Sequence, residues 1–301
     1  GAVIHEVPLP PCLEHAPGWK RDFRDRLGSL LASLRYYLFR KGIVYASRFD
    51  VRLGGLRYVD KFSAPFSSHS IIYNTLASHG VAGKMVLEIG VGDGALTKRL
   101  VALGGITDCL DVDQRALDAV RPYCRAAYLA DLEKIDRIPL ADGYEVIVMA
   151  DVLEHIRNPE QVLRRIHRHL RPDGMLVVSL PNVANIHVRL NLLLGRFPYR
   201  SRGILDRSHV RFYTEHTAER LLVETGWDIL SRDVTPIPFP LVFPFLLHRQ
   251  FRVVLGLVMR TTKMWKGLLG YQHVFYCKRS EAFGSLTPSA PPVLPMPEQG
   301  C

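Results

Sequence analysis

The sequence lacks the features that would take it out of the ordinary run of folded proteins. It has no C-x-x-C pair, and its five cysteines (Cys12, Cys109, Cys124, Cys277 and Cys301) are an odd number at scattered positions. A disulfide scaffold is excluded, and the thiols read as reduced, as in a cytoplasmic protein. No His, Cys and carboxylate set has metal-ligand spacing along the chain, so no metal is expected. No uncharged apolar run has membrane-spanning length. The most apolar window, Leu241–Met259, contains His248, Arg249 and Arg252. Charges at the centre of a span cost a few kcal/mol each, so the window is not read as a transmembrane helix. A signal-peptide pattern and internal repeats are also missing. Gly1 in place of Met reads as a start trimmed from a longer chain.

What is present is a chain of 301 residues, 48% apolar and 23% charged. A chain of that size buries a full core, which excludes disorder throughout. The net charge of +10 is unevenly placed. Residues 18–61 hold 11 Lys/Arg against 4 Asp/Glu, and residues 234–280 hold 7 Lys/Arg and no acid. The rest of the chain is therefore slightly acidic. Basic flanks suit an anionic surface such as a membrane. No RNA-binding module or aromatic-interleaved basic strip occurs, so no nucleic-acid partner is expected.

Residues 1–17 read as an arm. Leu27, Leu30, Leu31, Leu34 and Leu38 have helical spacing over Arg24–Lys41, and a second helix covers Ser68–Ser78. From there short apolar runs alternate with helical patterns. Strands are expected at Met85–Ile89, Thr107–Val112, Ala126–Leu129, Glu145–Ala150, Met175–Leu180, Trp227–Val234 and Tyr271–Lys278. Helices are expected at Ala95–Leu103, Gln114–Tyr123 and Thr214–Thr225. Another starts at Pro159, capped by Asn158, with Val162, Leu163, Ile166 and Leu170 on one face. Pro172-Asp173-Gly174 reads as a turn. The alternation predicts an α/β fold with a mostly parallel sheet and helices on both faces. Residues 1–80 form a basic helical extension, 81–280 the main domain, and 281–301 a disordered Pro-rich tail. Residues 183–213 and 236–270 interrupt the rhythm as insertions.

The strongest motif is V86-L-E-I-G-V-G-D-G94, at the end of a strand and opening a helix. Its glycines permit a sharp turn and close approach of a ligand. Ala95 also completes a G-x-G-x-x-G/A pattern, so a nicotinamide dinucleotide must be weighed. Glu88 opposes it: an acid there repels a pyrophosphate and attracts an α-ammonium group. Asp111, ending the next strand, suits the two hydroxyls of an adenosine ribose. Asp131, in A130-D-L132, suits an adenine amino group, with Leu132 flanking the ring.

Together these residues resemble the class I S-adenosylmethionine-dependent methyltransferases over roughly residues 83–235, returning at 271–278. The segments Y144-E-V-I-V-M-A-D-V-L-E-H155, L170-R-P-D-G-M-L-V-V-S-L-P-N182 and D206-R-S-H-V-R-F-Y-T214 are similar to the small-molecule branch, which includes ubiquinone-type O-methyltransferases. The resemblance implies a Rossmann-like, mostly parallel seven-stranded sheet with helices on both faces and an antiparallel last strand, and a cofactor set of Glu88, Gly90, Gly92, Gly94, Asp111, Val112, Asp131, Leu132 and Ala150 around S-adenosyl-L-methionine. A general base is expected beyond the carboxyl ends of the strands. His155 and His209 are the first candidates, followed by His187 and Tyr213. The Asn-Pro-Pro-Tyr pattern of many amino-methylating enzymes is absent after the fourth strand. The expected activity is O-methylation of a small or lipid-linked acceptor, in the cytoplasm and peripherally at the inner membrane face. A cofactor-binding regulator without turnover and an NAD-dependent dehydrogenase are the alternatives.

Overall fold

The computed structural model describes residues 62, 66–133, 140–239 and 252–281. The expected arm, the expected helix Arg24–Lys41, residues 240–251 of the second insertion and the tail beyond residue 281 lie outside the described residues.

Seven strands form one sheet: β1 (Met85–Ile89), β2 (Ile106–Asp111), β3 (Ala126–Leu129), β4 (Tyr144–Ala150), β5 (Leu170–Pro181), β6 (Trp227–Thr235) and β7 (Gln272–Arg279). Their spatial order is β3-β2-β1-β4-β5-β7-β6. The first five pair in parallel, and β7 runs antiparallel to both of its neighbours, β5 and β6. The fold is therefore the expected Rossmann-like, mostly parallel sheet.

Eight α-helices are described: α1 (Ser68–His79), α2 (Ala95–Ala102), α3 (Gln114–Val120), α4 (Pro159–His167), α5 (Ile186–Leu193), α6 (Glu215–Glu224), α7 (Arg252–Met264) and α8 (Lys266–Leu269). Strand periodicity sorts the core into layers. Val86, Val146, Val148, Val177 and Val274 pack with Ile72 and Leu76 of α1 and Leu96 and Leu100 of α2. The alternate residues Leu87, Ile147, Met149, Val178 and Phe275 pack with Val162, Leu163 and Ile166 of α4 and Leu222 of α6. Each such aliphatic side chain contributes roughly 1.5–3 kcal/mol on full burial. Asp108 of β2 is fully buried within this frame. It accepts hydrogen bonds from Arg125 Nε (2.8 Å) and Tyr144 Oη (2.6 Å), so the buried charge is paired and its lone pairs are used.

Three local expectations need correction. Pro172-Asp173-Gly174 is not a free turn. β5 runs unbroken from Leu170, and its register against β4 jumps from Tyr144↔Leu170 to Val146↔Met175. The three residues are taken up as an irregularity of the strand, and Leu170 is a strand residue, not part of the helix face. Pro159 does open α4, but the Asn158 side chain makes no capping bond. The backbone N–H groups of Arg157 and Asn158 donate instead to the Glu133 carboxylate. The insertion 183–213 contains α5, at whose end the run Leu192-Leu193-Leu194 hides any helical period. No helix among the described residues is long and apolar enough to cross a membrane.

Candidate active site

The strand order reverses between β1 and β4, and ligands of open α/β sheets bind outside the carboxyl ends of the strands at that point. The chain from β1 to α2 turns on Gly90, Gly92 and Gly94, with φ of 78°, 56° and 72°. At two of them the neighbours are as demanding as the backbone. A Cβ on Gly90 would lie 2.6 Å from Val152 Cγ2, on the loop after β4. One on Gly94 would lie 2.4 Å from Val120 Cγ1 of α3. The missing side chains let the loop sit against both walls and expose its backbone as a cradle.

Glu88 projects from β1 toward α2, where it is buried and accepts a 2.6 Å hydrogen bond from Thr97 Oγ1. Burial pushes its carboxyl up to about 8; the Thr97 bond opposes this, and Asp93 and Asp111 add to it. A cation brought beside it favours the ionised form. At the end of β2, Asp111 Oδ2 accepts from Val91 N–H and Oδ1 from Asp113 N–H, both at 2.9 Å. The first bond ties the acid to the glycine loop, and each oxygen keeps a second lone pair for a ribose hydroxyl. Val112 follows it and is exposed. Asp131 follows β3 and accepts from Glu133 N–H at 3.0 Å. The Leu132 side chain joins the core, while Ala150 closes β4. The cofactor candidates thus gather at one edge of the sheet, on four neighbouring strand ends.

Across the switch point lies a second group. A 3-10 turn, Leu153–His155, follows β4, and the end of the 183–213 insertion folds back onto it. Val210 N–H and Arg211 N–H donate to the Glu154 carbonyl at 2.9 and 3.1 Å. The His155 and His209 rings meet edge to face with centroids 4.9 Å apart. His155 Nδ1 lies 3.2 Å from Ser208 O, and His209 Nδ1 lies 3.1 Å from Ile204 O. A carbonyl only accepts, so each Nδ1 carries the proton and each Nε2 presents a lone pair. Burial and the neighbouring His155 hold His209 below its ordinary range, so it is neutral at physiological pH. The buried Glu154 carboxylate stands 4.0 Å from His209 Nε2. Glu154, His155 and His209 offer ligand atoms within 4.8 Å of one another, a donor set chemically able to hold a cation. Spacing could not show this trio, because its members come from two distant segments. The other two candidates stand apart: His187 Nε2 pairs with Arg200 Nη2 at 3.2 Å, and Tyr213 is a core residue.

Sequence reasoning missed Asp151. It is the first residue beyond β4 and, among the described residues, the one non-glycine with positive φ, 60°. Backbone strain of this kind persists where surrounding bonds over-determine it. Here Ser179 Oγ (2.6 Å) and Gln272 Nε2 (2.8 Å) both donate to Oδ1, and Asp151 N–H donates to Ser179 (O at 3.2 Å, Oγ at 3.1 Å). β5 and β7 thus hold an acid at the mouth of the crevice. The only cue in the sequence was its place next to Ala150.

A family profile described as a methyltransferase domain matches residues 69–232, more than half of the chain. A ubiquinone biosynthesis O-methyltransferase of Glaesserella parasuis is 30% identical over 35% of this chain and 48% of its own length. The protein of that name from Psychrobacter arcticus is 26% identical over 54% of this chain and 66% of its own length. The chain spans about half to two thirds of these relatives. A solved S-adenosylmethionine-dependent methyltransferase from Archaeoglobus fulgidus has a TM-score of 0.48 and 13% identity, over 72% of this chain and 98% of that one.

The chain belongs to the class I S-adenosylmethionine-dependent methyltransferases. Its cofactor is S-adenosylmethionine, and the nicotinamide reading falls away. The residues present fit that cofactor: a glycine cradle that a Cβ would fill, an acid tied to it with lone pairs suited to ribose hydroxyls, and a buried carboxyl suited to an ammonium group.

Proposed function

We propose that this methyltransferase acts on an oxygen of a small or lipid-linked acceptor, with residues 81–280 as the catalytic unit and its insertions forming the acceptor side. The observation that carries this reading is the His155–His209 pair. His155 is exposed, and with Nδ1–H anchored on the Ser208 carbonyl its Nε2 lone pair is open beside the end of β4, while the His209 ring packs against it with Nε2 toward the buried Glu154 carboxylate. An alcohol or phenol needs such a proton acceptor, because its oxygen is a poor nucleophile while protonated. The names of the curated relatives, which describe them as O-methyltransferases, agree with the chemistry.

In this mechanism the cofactor supplies an electrophilic methyl group. Gly90, Gly92 and Gly94 bind its methionine part, Glu88 receives the ammonium, Asp111 the ribose hydroxyls and Asp131 the adenine. His155 takes the acceptor proton at Nε2, His209 keeps the neighbouring charge low, and Asp151 orients the acceptor at the crevice mouth. The basic flanks direct the protein to the cytoplasmic face of a membrane.

The test is incubation with methyl-labelled cofactor and a total lipid extract, with labelled products separated by mass spectrometry. His155→Ala should lower kcat about 10²–10⁴-fold and leave cofactor binding intact. His209→Ala should do the same if the insertion supplies the base. Near-normal turnover in both variants would remove the imidazoles from proton transfer. Turnover should survive chelation; its loss on adding EDTA would reassign the trio to a cation. Cofactor binding without turnover on any extract would favour a regulatory role.

A further inference from the structure

Helix α5 has almost no inward face. Of its eight residues only Val188 is buried, while Leu190, Leu192 and Leu193 are exposed, Leu193 to 82%. Leu194, Phe197 and Tyr199 extend the exposed apolar surface into the loop that follows. Leu190 and Leu193 stand at i and i+3, so they share one helix face, and Leu194 follows as the residue that caps it. The phenyl ring of Phe197 meets Tyr199 and Phe212 edge to face, which makes the loop a built surface and not loose chain.

The second apolar element joins at the same place. Asn182 Nδ2 donates to the carbonyls of Gly267 (3.1 Å) and Gly270 (2.9 Å), and Asn185 Nδ2 to those of Leu269 (3.2 Å) and Gly270 (2.8 Å). Both asparagines are fully buried. They clamp the start of α5 to α8, next to the exposed Met264 and Trp265 at the end of α7. The charge these segments carry is predominantly positive, although Lys263 pairs with Asp233 of β6 at 3.1 Å. Residues 186–211 and 252–269 together hold ten Lys/Arg and a single acid, Asp206. Arg189, Arg196 and Arg260 are exposed beside the apolar side chains.

We propose that α5 and its loop to Tyr199, flanked by the end of α7, form a docking surface for an anionic membrane. An apolar helix face rimmed by arginine is what the boundary between headgroups and acyl chains accepts: leucine and aromatic side chains enter, and the cations meet the lipid phosphates. Charge selects this occupant over a second copy, since two surfaces of like sign repel. The same segment carries His209 back to the crevice, so docking sets the acceptor site against the bilayer. The proposal gives the lipid-linked acceptor reading a physical surface and rests on it only for its purpose.

The test uses the full chain and two vesicle preparations, phosphatidylcholine alone and an equal mixture with phosphatidylglycerol. Co-sedimentation should occur with the anionic vesicles and decline as salt is raised. Leu193→Glu with Leu194→Glu, and separately Arg189→Glu with Arg196→Glu, should each lower partitioning at least about tenfold. Calorimetric affinity for S-adenosylhomocysteine should be unchanged in both, which shows that the variants fold. No binding to anionic vesicles, wild-type binding by both double variants, or a concentration-dependent dimer abolished by Leu193→Glu would overturn the proposal. The two readings fail separately. Methyl transfer to detergent-solubilised lipid without vesicle binding sinks the docking surface alone. Vesicle binding without any labelled lipid sinks the acceptor.

Discussion

Asp111 and Glu88 flank one loop but are built for opposite tasks. Asp111 is held in place at the end of β2 by two backbone N–H groups. Asp111→Ala should remove hydrogen bonds to a charged acceptor worth about 1.5–3 kcal/mol. S-adenosylhomocysteine binding should then weaken roughly 10- to 150-fold by calorimetry. Glu88 is buried, and its carboxyl stands near 8 with no cation beside it. A bound ammonium lowers that value, so binding releases a proton in the pH range between the lowered value and about 8. Affinity should therefore rise from pH 6 to pH 8 in the wild type, and Glu88→Gln should lose that part of the slope. Equal slopes in the two proteins would remove Glu88 from ammonium recognition. Folding follows the other sign. An acid whose carboxyl is raised in the fold costs stability as pH climbs from the ordinary 4.5 toward 8, so Glu88→Gln should unfold later than wild type at pH 8.

Among the strands, β7 carries a polar residue where its neighbours ask for an apolar one. His273 lies between Leu180 of β5 and Val234 of β6, is almost fully buried, and has no hydrogen-bond partner for Nε2 among the described residues. Burial, with Lys266 and Arg232 adding to it, holds the imidazole down at about 4 against an ordinary 6.5. The unfolded chain therefore binds a proton that the fold refuses. Stability from this residue is complete above pH 6.5 and is lost as pH falls toward 4. The loss between pH 7 and pH 5 should be roughly 2 kcal/mol in urea unfolding. His273→Val should flatten that part of the curve. An unchanged curve would show that acid destabilisation comes from elsewhere.

For the molecule as a whole, the proposed cofactor site draws on the glycine loop and four strand ends, so cofactor binding and folding should be linked. S-adenosylhomocysteine at about 100 times its Kd should add about 2.7 kcal/mol to stability. For a chain of this size that raises Tm by roughly 4 °C. NAD at the same concentration should leave Tm unchanged, and an equal shift would return the dinucleotide reading. The basic character is likewise a property of the whole. The sequence placed it in two flanks, whereas the fold adds the arginines of 189–211 to those of 252–269 by clamping α5 to α8.

Features made by near neighbours were legible from the residues alone. Strand periodicity marked all seven strands, and the glycine loop with its two acids followed from strand, turn and helix meeting within a few residues. Such signals survive because backbone conformation and side-chain alternation act over short spans of chain. Packing between distant segments decided the rest. The positive φ of Asp151 depends on Ser179 and Gln272, and the imidazole pair on a loop returning from the far end of the insertion. The 170–175 irregularity depends on the register of β4, and the exposed face of α5 on having no layer beside it among the described residues. None of these has a local cause. Each is a balance of long-range hydrogen bonds and burial that exists once the sheet has closed.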